Sequence, residues 1–178
     1  LIQDAEGKPY HGGIGRKVVF VAPVKNSKTA EMAYMVLGGF GANPESIPGA
    51  YKNFTLAQIN CSSTSTGTDF APGTGTASWE VNNNAGKVIS FQMEYKKALP
   101  LRNMSKLKIY SASEPDFFRI YHVDSATDMI KSVPLGFDRL KKYQFQANIP
   151  EMKDIFDGNE KIIGISALPL YARKIFLP

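Results

Sequence analysis

An all-β chain is what this sequence predicts: an antiparallel β-sandwich or jelly roll with an extended N-terminal arm and at most one or two short helices. Two observations carry the expectation. Short runs rich in β-branched and aromatic residues recur, each bounded by Gly, Pro, Asn or Ser clusters. Between them no regular helix is visible, and a parallel α/β sheet needs crossover helices. At 178 residues, 43% hydrophobic and 21% charged, the chain is long and apolar enough for one domain with its own core. That domain is expected over 18–178, preceded by an arm over 1–17.

The arm, LIQDAEGKPYHGGIGRK, has four glycines and no periodicity. KVVFVAPV follows as a buried strand closed by Pro23. In SKTAEMAYMVLGGFGANPE, Met32, Met35 and Val36 fit the spacing of a short helix capped by Ser27 or Thr29, with a strand ending at Gly38-Gly39 as the alternative. YKNFTLAQIN predicts a strand, and the Ser/Thr/Gly run CSSTSTGTDFAPGTGTAS predicts a long loop. SWEV and KVISFQMEY read as strands joined by a turn over Asn82–Gly86.

The stretch Lys87–Ser111 is plainly two-faced. Ile89, Phe91, Met93 and Tyr95 share one parity, and Leu107 and Ile109 alternate with Lys106 and Lys108. DFFRIYHV is the next strand, and Asp124 and Asp128 flank an expected turn. KKYQFQANI alternates, PEMKDIFDGNE holds one helical turn, and KIIGISAL and LYARKIFL close the chain as two strands.

Catalysis finds little support. The only imidazoles are His11, in the arm, and His122, on a strand parity with Phe118 and Ile120, so no enzyme is predicted. Cys61 is alone, which rules out an intrachain disulfide and a cysteine-built zinc site. Asp116, Asp124 and Asp128 suit local hydrogen bonds; calcium held with loop carbonyls is the one cofactor they admit, and otherwise none is expected. HGGIGRK and GGFGAN lack the rest of a phosphate-binding fingerprint. No apolar run reaches the roughly 18 residues of a membrane span. The net charge of +5 is scattered as short pairs and favours acidic partners in general.

What remains is the outward face of the strands. With Leu107 and Ile109 inward, Lys108 and Tyr110 point out, and Arg119 and Tyr121 lie opposite Phe118 and Ile120 in parity. Two tyrosines beside a lysine and an arginine suit a sugar ring: aromatic faces stack on its C–H side while cations reach hydroxyls or acidic groups. Lys108, Tyr110, Arg119 and Tyr121 are therefore the expected glycan contacts, with a subunit contact as the other use of the face.

From Gly86 onward, the phrases ALPLRNMSKLKIYS, KKYQFQANIP and IIGISALPLYARKIFL resemble those of a jelly-roll carbohydrate-binding module. That resemblance implies a non-catalytic, glycan-binding domain. Such modules usually present tryptophans, whereas this chain has only Trp79, expected beside Val81 in the core. The arm, the Ser/Thr/Gly segment and the positive charge also resemble viral jelly-roll capsid and tail proteins. This second resemblance implies self-association and, through the basic arm, contact with nucleic acid. Both imply an extracellular or virion setting.

Overall fold

The computed structural model describes residues 15–43, 53–68 and 72–176, together with Lys8. Most of the expected arm, His11 included, lies outside the described residues; Arg16 and Lys17 already belong to the folded chain. Among the described residues the protein is all-β, with two sheets and one 3-10 turn, Pro150–Met152, inside the segment expected to hold a helical turn. The chain groups into two compact units. One comprises Leu1–Ile59, Leu107–Tyr121 and Ile175–Pro178; the other comprises Asn60–Lys106 and His122–Lys174.

The first unit is built around β2 (Met32–Gly41), where the helical spacing pointed the wrong way. β1 (Lys17–Lys25) pairs antiparallel with it from Lys17↔Gly41 to Lys25↔Met32, with a bulge at Phe20/Val21. The hairpin between them displaces the expected helix cap. Asn26 Oδ1 accepts the Lys28 and Thr29 N–H groups at 2.9 and 3.1 Å, and Ala30 takes φ +58°. On its other edge β2 runs parallel to β3 (Phe54–Leu56) and to β7 (Leu101–Ser111), matching Tyr34–Val36 with Ile109–Ser111. The sheet is therefore mixed, not purely antiparallel.

β2 is buried on both faces towards its end, which removes the alternation that advertises a strand. Its glycines answer to close approach. A Cβ on Gly39 would meet the Val18 carbonyl and lie 2.7 Å from the Phe54 ring. Phe40 packs edge-on against Phe20 at 6.1 Å, above a core of Ala33, Val36, Ala57 and Ile59.

The second unit holds a four-stranded sheet in the order β10 (Leu140–Ala147), β6 (Gly86–Lys97), β5 (Gly73–Asn83), β4 (Gln58–Ser65). The Ser/Thr/Gly run expected as a loop thus supplies most of β4 and the start of β5. Threonine suits a pleated strand, and here the hydroxyls pair across strands, Thr64 to Thr76 at 2.7 Å. The β5–β6 turn falls where expected, with Asn83 Oδ1 accepting the Ala85 N–H and Gly86 at φ +108°. Phe91 faces Trp79 on one side and Phe145 on the other. Trp79 is half-buried, and Val81, not the indole, is sealed in the core.

β8 (Phe118–Ser132) runs straight through the expected turn at Ser125–Asp128, because Ser125, Ala126 and Asp128 are buried strand residues. β9 (Phe137–Asp138) pairs with its end. The two closing strands are one, β11 (Gly164–Phe176), with Pro169 inside it. The seven-stranded sheet has the path β1-β2-β7-β8-β11, so β1 and β11 are its margins. Pro23 and Pro169 sit in those two strands, where a missing N–H can face away from the ladder. β1 is accordingly a half-exposed margin and not the buried strand its composition suggested.

One ion pair, buried on its Asp128 side and half-buried at Arg139, ties the second unit together. The Arg139 guanidinium binds Asp128 and the Met129 carbonyl, and donates to the Lys96 carbonyl at 2.8 Å. The second Asp128 oxygen accepts the Ala98 N–H at 3.2 Å. Tyr95 lies in the same environment; burial first, then the Asp128 charge, raises its phenol above the usual 10.0, against the pull of Arg139.

Two stability outcomes follow from this packing. Gly39→Ala lowers stability by roughly 1–3 kcal/mol in urea unfolding, because the new methyl meets backbone on one side and a ring on the other. Asp128→Ala lowers it by about 2 kcal/mol, because the part-buried Arg139 loses its charge partner and keeps only the Lys96 and Met129 carbonyls; the apolar double change Asp128→Leu/Arg139→Met recovers much of that loss. Equal losses in the single and double variants would show that the pair does not act as a unit.

Candidate functional site

The four residues expected to form a sugar platform do not share a surface. Lys108 lies on β7 with its Nζ 4.3 Å from the Phe118 ring centroid and 5.3 Å from that of Tyr110. The two rings are themselves 5.6 Å apart. Phe118 therefore stands on the Lys108/Tyr110 side, opposite to its expected inward direction. Arg119 and Tyr121 alternate away from Phe118 along β8. Arg119 instead lies over the Phe117 ring at 5.5 Å, and Tyr121 is only 7% exposed. A buried tyrosine has no ring face to offer a sugar.

The Lys108 cluster is occupied from within. Its ammonium reaches Glu31 at 3.5 Å. A hydrogen bond with Tyr110, helped by the Glu31 charge, holds its pKa above 10.5 against the cost of burial. An aromatic pair that already houses its own cation is a structural cation–π contact.

The carboxylates have local partners too. Asp124 takes a two-pronged hydrogen bond from Arg102, at 3.0 and 2.7 Å, and Asp138 takes Lys131 at 2.6 Å. Asp128 is committed to Arg139. No group of three or more Asp, Glu, His or Cys side chains converges among the described residues. His122 is exposed, and Cys61 is half-buried as a free thiol. In the first unit, Arg16, Ala42 and Leu56–Ile59 line an open cleft of about 530 Å³, where Arg16 Nη1 donates to the Ile59 carbonyl at 3.0 Å.

The most distinctive surface is apolar. Three tetrapeptides share one pattern, a small residue followed by Leu or Val, Pro and Leu: Ala98–Leu101, Ser132–Leu135 and Ala167–Leu170. All six of their Leu and Val side chains are exposed. On β11, Leu168 and Leu170 project from one face while Tyr171 projects from the other. The repeated proline phrase is legible in the sequence, but the exposure of its side chains is not. No family model matches the chain, and no curated protein or solved structure matches it.

Arg102 holds the Asp124 carboxyl below its usual 3.8, chiefly through the hydrogen bond and secondarily through charge. Because the folded carboxyl binds its proton less readily than the unfolded one, its contribution is complete above pH 3.8. It is lost as pH falls through the lower folded value. Carboxyl-detected NMR should show Asp124 titrating below 3.8 in the parent protein and moving back up in Arg102→Gln.

Proposed function

We propose that this chain is a structural subunit that acts by assembling with further copies of itself, in the manner of a jelly-roll shell or tail component of a virion. The observation that carries the reading is β11. It is a marginal strand of thirteen residues that leaves large apolar side chains open on both faces. Long, hydrophobic sheet margins are normally blunted or covered, because they invite association. Pro169 blunts the hydrogen-bonding edge, so what is left to cover is the side-chain surface.

A second copy is the occupant this argues for. The opposite margin of the same sheet, β1, exposes Val19 and Val21 on one parity. One copy's β11 against the next copy's β1 makes a head-to-tail contact, which yields a ring or an open array instead of a closed pair. The glycan reading has no comparable support, since its four residues fall on different faces and Tyr121 is buried.

Sedimentation velocity across a concentration series tests this. The expected outcome is a mass that grows with concentration for the parent chain and stays monomeric for Leu168→Asp/Tyr171→Asp, with unchanged circular dichroism. A parent chain that remains monomeric at every concentration, or a variant that assembles as well as the parent, overturns it.

A further inference from the structure

We infer that the segment Lys96–Lys106 is a docking surface for an anionic lipid bilayer, a property separate from self-assembly. Leu101 is 76% exposed and Leu99, just before β7, is 64% exposed, whereas Met104, also 76% exposed, alternates onto the other face of the strand. From Tyr95 to Lys106 the chain carries Lys96, Lys97, Arg102 and Lys106 and no Asp or Glu; Arg102 is paired with Asp124, so the lysines carry the local positive charge. Exposed aliphatic side chains set among cations are what binding in the headgroup region requires. The apolar tips leave water for the acyl boundary, and the cations meet anionic headgroups.

The segment is held so that its apolar side chains stay outside. The Ala98 N–H is pinned to Asp128, and Lys97 Nζ donates to the Thr68 carbonyl at 2.7 Å. Pro100 stiffens the passage between β6 and β7. The acidic groups nearby are already engaged, Asp128 by Arg139 and Asp124 by Arg102. Lys96 and Lys106 are both exposed.

A second loop of the same composition adds to the first. Val133 and Leu135 flank Pro134 directly after β8 and are exposed. Asp128, which anchors Ala98, and Val133 are separated by five steps along the chain, about 16 Å at strand spacing.

Charge decides the occupant. A second copy meeting this segment with its own would set three lysines against three, so self-pairing here is disfavoured. A single-stranded nucleic acid would be met by stacking rings, and this segment offers aliphatic side chains instead. A negatively charged bilayer satisfies both the leucines and the lysines.

Co-sedimentation of the full chain with vesicles is the test. Vesicles of phosphatidylcholine with one-third phosphatidylserine should bind it at least about tenfold more tightly than pure phosphatidylcholine, with the difference shrinking at high salt. Leu99→Asp/Leu101→Asp and Lys96→Glu/Lys106→Glu should each lose about tenfold in affinity for the anionic vesicles, at unchanged circular dichroism. Leu168→Asp/Tyr171→Asp, which carries the β11 changes, should still bind, apart from any gain the parent draws from multivalency. Should a loop variant misfold, Trp79→Phe/Leu99→Trp provides a second readout, a blue-shifted emission with anionic vesicles only. Equal binding to both vesicle types overturns the proposal. So do loop variants that bind as the parent does, or that change the mass in solution and leave vesicle binding intact.

Discussion

The Asp128–Arg139 pair is the constraint on which the second unit turns. Arg139 stands at the entry to β10, Asp128 lies in mid-β8, and the carbonyl and N–H they hold belong to Lys96 and Ala98, where β6 gives way to the chain leading into β7. The backbone of Arg139 joins in, its N–H donating to Ile130 and its carbonyl accepting from Lys96, each at 2.9 Å. Three segments distant in sequence are thereby fixed by one pair of side chains. Desolvating two charges is costly, and an apolar pair of equal size could be as stable. What the ion pair adds is direction. Carboxylate, guanidinium and both backbone groups meet where β8 passes the end of β6, next to the exposed Leu99.

Much of the fold was legible where a strand has one wet face. Ile89, Phe91, Met93 and Tyr95 alternate because the four-stranded sheet has an apolar face and a polar one, and the Asn83–Gly86 turn carries the right residues for its angles. The failures share a cause: strands whose two faces are treated alike. β2 is buried on both sides near Phe40, so the chance spacing of Met32, Met35 and Val36 looked helical. β4 is largely exposed past Ile59, so its serines and threonines looked like a loop. In β8 the polar residues Ser125 and Asp128 are buried, which inverts the meaning of their chemistry. Pro169 reads as a break unless the strand is known to be marginal.

The sugar platform failed for a related reason. Parity within a strand is readable, but the face shared by residues on two strands depends on register. Phe118 against Tyr110 reversed the assumed match between β7 and β8. The apolar surface residues escaped notice because a chain with 43% hydrophobic content is expected to hide them. Here they occupy a sheet margin and proline-centred turns, the two places where side chains can be held out of the core without leaving backbone groups unsatisfied.

The parallel seam between β2 and β7 has a consequence in time. Glu31 and Lys108, which meet beside it, are 77 residues apart in the chain, and the whole four-stranded sheet except β10 is threaded between them. Closing so long a loop must precede any reward from the contacts it brings together, which slows folding. During synthesis β1 and β2 emerge before β7 and pair locally, and β3 covers the Gly39–Gly41 end of the far edge of β2, yet its Tyr34–Val36 part stays open until β7 has left the ribosome. For that interval the nascent chain presents a short unfilled strand edge at Tyr34–Val36.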